Sequence, residues 1–201
     1  MTEARRHPPA GTSPSGGGVT IGEARREMRE IYLDGSVGQA VSGLVWLASA
    51  TAGTWIGVRE GIVVLVAGGV LIFPLTKAAL RLLRRPTSVG ADNPLTALAT
   101  QVAFVVPLLL PLVGAATLHR IEWFYPAMMM VVGAHYLPFV FLYGMRSFAV
   151  LAAALLAGGV ALGLGTESFT AGGWAGGGAL LAFALLAGLR RRNGTDRARN
   201  G

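Results

Sequence analysis

The residue with the most chemistry to offer lies where the chain is most apolar. His135 stands ten residues beyond Tyr125. That is roughly 15 Å along a helix rising ~1.5 Å per residue, near the middle of a hydrocarbon core ~30 Å thick. Tyr136 follows it and Pro138 lies three residues on. A proline inside a helix frees the carbonyl four residues before it, here that of Ala134. An ionisable group at this depth is a functional candidate by default, because its polar atoms need partners that lipid does not supply. The candidate binding set is therefore His135, Tyr136, Pro138 and Gln101, with the histidine ring expected to face the bundle interior. The plainer reading is a neutral histidine bonded to a helix carbonyl or to Ser49, Thr51 or Gln101. A second polar group, with Arg120 and Glu122 at its centre and Arg59, Glu60, His119 and Glu167 around it, falls in the turns at one end of the apolar segments. It could line a polar vestibule, or simply make those turns.

Other chemistries are missing. The chain has no cysteine, which removes disulfides, thiol catalysis and thiolate metal sites. Met128-Met129-Met130 offers thioether sulfur. Consecutive helical residues point ~100° apart, from 3.6 residues per turn, so one ion cannot gather all three. No HExxH, G-x-S-x-G or P-loop motif is present, and no pair of aspartates lies inside an apolar segment. No catalytic residue, metal or cofactor is expected.

These residues must be positioned by apolar helices. Six apolar segments occur at Ser36–Gly57, Gly61–Leu80, Leu95–Leu118, Tyr125–Leu142, Phe148–Gly165 and Gly172–Leu189. Residues are 53% hydrophobic and 13% charged, where a soluble domain has ~25% charged. With both termini placed in the cytoplasm, 15 Lys/Arg fall inside and only Arg59 and Arg120 fall outside. That asymmetry sets orientation in membranes. The net charge of +7 then belongs to the cytoplasmic flanks, with anionic lipid headgroups as the expected partner rather than nucleic acid.

The expected fold is all-α: a polytopic membrane protein with six transmembrane helices and both termini cytoplasmic. Residues 1–19 read as a disordered tail, poor in anything to bury. Residues 20–35 read as an amphipathic helix. Thr20-Ile-Gly-Glu23 has capping-box spacing, and Ala24, Met28, Ile31 and Tyr32 share one face. This helix is expected on the cytoplasmic membrane surface with Arg25, Arg26 and Arg29 toward headgroups, or else as a continuation of the first span. Residues 36–189 form the six-helix domain and 190–201 a basic cytoplasmic tail.

Details follow from prolines, glycines and aromatics. Pro107 and Pro111, one turn apart, predict a kinked third span. Trp123 and Tyr125 suit an interfacial aromatic belt. Glycines paired at i, i+4, including Gly53–Gly57–Gly61, Gly159–Gly163 and Gly173–Gly177, are spaced for close helix contact inside the bundle. A homo-oligomer through them is the alternative. A weak parallel repeat pairs Gly69…Pro74 with Gly133…Pro138, Gln39 with Gln101, and Glu60 with Glu122. Chance matches between such similar segments are the competing explanation.

Tyr32-Leu-Asp-Gly35, Gly43-Leu-Val-Trp46, Phe73-Pro74, Glu122-Trp-Phe-Tyr-Pro126 and Leu142-Tyr-Gly-Met-Arg146 together resemble a widespread group of small bacterial multi-pass membrane proteins of unknown function. The resemblance runs from about Glu23 to Leu164 and leaves out the last hairpin and the polar N-terminus. It implies a place in the bacterial cytoplasmic membrane and carries no activity, cofactor or catalytic residue with it. The functional expectation is a small-solute or ion transporter or binding protein, with its cavity between the second, third and fourth spans. The alternative is a non-transporting scaffold, sensor or accessory subunit. An intramembrane enzyme comes third, since only His135 could serve one.

Overall fold

The computed structural model describes residues 19–200, with side chains through residue 193. Of the tail expected at 1–19, residues 1–18 lie outside these residues. Among the described residues every regular element is helical.

Helix α1, Ile21–Tyr32, begins at Thr20. Its capping box is closed: Glu23 N–H donates to Thr20 Oγ1 at 3.3 Å, and Thr20 N–H donates to Glu23 Oε2 at 2.9 Å. Ala24, Met28 and Ile31 are buried, as their spacing predicts, and Tyr32 is half-buried. The chain then turns through three consecutive left-handed residues, Leu33 (φ 52°), Asp34 (φ 57°) and Gly35 (φ 79°). Glycine adopts this conformation without penalty, whereas Leu33 and Asp34 do so at a cost. α1 is thus a separate helix and does not continue into the next.

Helix α2 (Ser36–Trp55) and helix α3 (Val58–Leu82) form the first hairpin. The third apolar segment is divided into α4 (Thr96–Ala103) and α5 (Val105–His119). The division falls at Phe104, whose N–H donates to Gln101 O at 3.1 Å, three residues back instead of four. Pro107 explains the place, since its ring nitrogen cannot donate to the Ala103 carbonyl. A short 3₁₀ turn, Ile121–Trp123, leads into α6 (Phe124–Tyr143). Helices α7 (Ser147–Gly165) and α8 (Ala171–Asn200) complete the fold. α8 continues through Arg190–Arg192, so the basic tail begins as helix.

Among the described residues, five stretches are long and apolar enough to cross a membrane: Val58–Leu82, Thr96–His119, Ile121–Tyr143, Ser147–Gly165 and Ala171–Asn193. α2 has the length, but Gln39, Ser42, Ser49, Thr51 and Thr54 dilute its apolar character. Most of that polarity turns inward, since Gln39, Ser42 and Ser49 are all buried.

The helices pack in two tight sets. α2 lies against both α3 and α8, and α6 lies against α7. α5 rests more lightly on α6, and α7 on α8. Glycine permits the closest approaches. A Cβ on Gly61 would sit 2.9 Å from Gly53 Cα, and one on Gly176 would sit 2.5 Å from the Trp46 ring. The expected internal role of these small residues is what the packing uses. α3 and α4–α5 remain peripheral. Only 11% of the apolar window of each is buried, against 50% for Ile121–Tyr143.

The repeat does not extend into this packing. Gln39 is buried and Gln101 exposed; Pro74 is exposed and Pro138 half-buried. α2 runs unbroken where its counterpart is split at Phe104.

We call the end of the bundle near α1 and the 144–146 turn basal, and the end carrying the turns at 56–57, 120–123 and 166–170 distal.

Candidate functional site

The two central helices meet through polar side chains. On α6, Tyr125, Tyr136 and Tyr143 are 11 and 7 residues apart, close to three and two whole turns at 3.6 residues per turn, so they share a face. All three are buried. On α2, Gln39, Ser42 and Ser49 share a face by the same arithmetic, and they turn toward the tyrosines.

At the distal end the arrangement is closed. Ser49 Oγ donates to Gly61 O at 2.7 Å and lies 2.6 Å from Tyr125 Oη. Serine has one hydroxyl proton. With it spent on Gly61, the bond between the two hydroxyls must be donated by Tyr125. Both residues are 0% exposed. Tyr125 therefore lies inside the bundle and not in an aromatic belt. Trp46 packs beside it, with ring centroids 6.1 Å apart. At the same end Trp55 and Trp174 meet edge to face at 5.8 Å.

Two to three turns of α2 toward the basal end, at ~3.6 residues per turn, the arrangement is open. Ser42 and Gln39 lie beside the Tyr136 hydroxyl. The Tyr136 ring stacks on Phe148 at 6.1 Å and meets Phe139 at 5.3 Å. Phe148 in turn meets Phe183 of α8 at 5.1 Å. Within this aromatic packing, Gln39 Oε1 is buried with no hydrogen-bond partner, and so is His135 Nδ1. Buried polar atoms without partners are rare in folded proteins.

His135 is half-buried on α6. Its ring is 5.5 Å from Tyr136 and 5.1 Å from Phe139, and the Val102 carbonyl of α4 lies beside it. In a neutral imidazole one ring nitrogen donates and the other accepts, so the buried Nδ1 is an acceptor when Nε2 carries the proton. The cluster can thus offer two acceptors and a hydroxyl to a small donor. Among the described residues, no group of three or more His, Asp or Glu could hold a metal ion. Met128 and Met129 are buried while Met130 is exposed, diverging as consecutive helical residues must.

The expected site residues fall in three places. His135, Tyr136 and the half-buried Pro138 come together on α6. Gln101 does not join them, because it is exposed on α4 while its neighbour Val102 is the residue facing His135. Arg120 and Glu122 stay at the distal end as a surface ion pair at 3.8 Å. Arg120 also borders an open cleft of about 230 Å³ lined by Gly163, Leu164, Gly165, Thr166 and Glu167. Trp123 fixes that edge by donating from Nε1 to Gly163 O at 3.0 Å. Gln39 and Ser42 lie outside the expected set. The sequence signal for them is the spacing Gln39, Ser42, Ser49, which puts three polar groups on one side of an apolar helix.

The basal end is tied by α1. Arg25 Nε donates to Phe141 O at 2.7 Å, and its guanidinium lies 4.4 Å from the Phe141 ring. Arg29 donates to Tyr143 O at 2.5 Å. Both cations thus sit on the carbonyl end of α6, where the helix dipole favours positive charge. Of the three arginines expected at headgroups, these two are held by α6 carbonyls, while Arg26 remains at the surface, 3.9 Å from Glu30. Glu27 accepts from Gly90 N–H and from Asn93 Nδ2, each at 2.7 Å. These bonds, Gly90 first, hold its carboxyl below the ordinary carboxylate range. Asn93 itself is buried and accepts from Leu95 N–H at 2.9 Å. Arg191 of α8 reaches Asp34 at 3.5 Å. Tyr32 is pushed up by burial.

No curated protein and no solved structure matches the chain. A family model matches residues 21–189, which takes in the last hairpin that the motifs had left out. The apolar helices are those of an integral membrane protein, and the family brings no activity with it. Over that stretch, which is most of its length, the chain belongs to the family of unknown function DUF7010.

Proposed function

We propose that this chain crosses the bacterial cytoplasmic membrane six times, both termini inside, and binds and passes a small polar solute or ion between α2, α4 and α6. The observation that carries the reading is the pair of buried, partnerless acceptors, Gln39 Oε1 and His135 Nδ1, beside Tyr136. A bundle free to be apolar there has no reason to keep them, since each uncompensated polar atom costs on the order of 1–3 kcal/mol. The Lys/Arg asymmetry supports the orientation. The 20-residue length of α2 and its place against α3 and α8 support a sixth crossing. Exposed basal arginines would then meet anionic headgroups.

A topology test is direct because the chain has no cysteine of its own. Cysteine at Thr166 should be labelled from outside intact cells and cysteine at Ser88 should not; the reverse pattern overturns the orientation. The binding test uses thermal unfolding of purified protein in ammonium, methylammonium, sodium, potassium and chloride series. A ligand at a hundred times its Kd should stabilise the folded state by about 2.7 kcal/mol. At least one series should raise Tm in the wild type and fail to do so in His135→Ala and Tyr136→Phe. Identical responses in all three proteins would defeat the site.

A second reading, a non-transporting scaffold or accessory subunit, is favoured by one observation: the largely unburied apolar faces of α3 and α4–α5. Helix partners could dock there in the membrane. Co-purification of a stoichiometric membrane protein, lost when these faces are altered, would support it.

A further inference from the structure

The partnerless oxygen of Gln39 lies against the turn that joins α1 to α2. Gln39 is 2% exposed, and its Oε1 has no hydrogen-bond partner. A Cβ on Gly35 would stand 3.0 Å from that oxygen and 2.9 Å from Cζ of Phe148. Gly35 is buried as well. The bare backbone of the turn and the Phe148 ring thus close over the amide at the basal end of α2.

The turn has a conformation that must be held. Leu33 and Asp34 are left-handed, with φ of 52° and 57°, and side chains adopt such angles at a cost. Ordinary helical angles at these two residues would carry α1 straight on from α2. Polar ties keep it folded back instead. Arg25 and Arg29 donate to Phe141 O and Tyr143 O at the end of α6. Asn93 Nδ2 donates to Ala24 O at 3.2 Å. Arg191 of α8 reaches Asp34 at 3.5 Å and Arg29 O at 3.3 Å. All but the Asn93 bond are exposed or half-buried, where water can take the place of either partner.

Left-handed residues also occur in turns that only connect packed helices. Here the turn covers an acceptor that has no partner, and its fastenings lie at the surface. We propose that α1 is a lid: seated, it closes the basal way to the Gln39 amide, and it opens by straightening at Leu33 and Asp34 when its ties to α6 and α8 let go. This rests on the reading of Gln39 as part of the binding cluster given above.

Thiol labelling of the purified full chain tests the lid, because the chain has no cysteine of its own. Gln39→Cys should react with a maleimide far more slowly than Ser88→Cys, whose site is exposed. Two changes should unlatch the lid. Asp34→Ala loses the Arg191 contact and tolerates the left-handed turn less well. Arg25→Gln combined with Arg29→Gln weakens the hold on α6. Each should speed labelling of Gln39→Cys about tenfold, since the rate follows the open population. Ser49→Cys, at a distal site that is 0% exposed, should stay slow in the same backgrounds. The proposal is overturned if Gln39→Cys reacts as fast as Ser88→Cys from the start, or if neither change speeds it. It is equally overturned if Ser49→Cys speeds up in step, which would be general loosening. Labelling needs no ligand, so it separates the two readings. An unresponsive Gln39→Cys together with an ion-dependent Tm removes the lid and leaves the binding cluster. A lid that opens while no ion series raises Tm stands by itself and defeats the binding reading.

Discussion

Tyr125 and Tyr136 are the same residue on the same face of one helix, yet their surroundings are opposite. Tyr125 closes a short chain through Ser49 to Gly61 O, and every hydroxyl in it has a partner. Tyr136 lies among groups that are not all satisfied, with Gln39 Oε1 and His135 Nδ1 left over. The first arrangement is what helix adhesion needs in a medium without water. The second leaves capacity to bond something that comes and goes. Burial alone does not tell the two apart, because both tyrosines are inaccessible; the balance of donors and acceptors does.

The strongest test of this contrast is steric. Gly176→Leu would drive a side chain into the Trp46 ring, where even a Cβ comes within 2.5 Å. Overpacking of this kind costs about 1–3 kcal/mol or more, and a sharp fall in folded yield by size-exclusion chromatography is expected. Normal yield would mean that the Tyr125 end is not rigid.

Next in size is Ser49→Ala. It strands the Tyr125 hydroxyl inside the bundle and should lower stability by about 1–3 kcal/mol, read as a drop in Tm. Tyr136→Phe should be milder, within about 1 kcal/mol of wild type, because its hydroxyl sits in an incompletely paired set. Equal losses in the two variants would erase the distinction drawn here.

The smallest effect lies at the basal end. Glu27 is held below its ordinary value of 4.5 by Gly90 and Asn93. A depressed pKa gives stability that is present above the unfolded value and lost as pH falls through the folded one. The 83–95 connection should therefore loosen only below about pH 4.5, seen as faster backbone hydrogen exchange at Gly90. Glu27→Gln should remove that dependence. An unchanged acid response would place its origin elsewhere.

Much of the architecture could be read from the chain. The capping box and face spacing of α1 are local, and so is the proline that divides α4 from α5. Apolar length announces the spans. What escaped is rotational. Gln101 and Val102 differ by one residue, hence ~100° of helix, and an apolar segment with little polar contrast does not say which of them faces His135. The hydropathy of α5 and α6 is high all round, so no stripe marks an inner face. α2 was the exception, since its polar side at Gln39, Ser42 and Ser49 marked the buried face. The target of the Arg25 and Arg29 side chains was also hidden. It depends on two carbonyls more than a hundred residues further on, and the local pattern of α1 suits a lipid surface equally well.

The ties of α1 also carry a sense of time. Arg29 bonds a carbonyl 114 residues downstream, and Arg191 bonds back to Arg29 O from 162 residues away. A ribosome adding about 5–20 residues per second needs roughly 6–23 s to reach the first of these partners after making Arg29. The first of the described helices to be synthesised thus cannot make these bonds until α6, and then α8, has followed it.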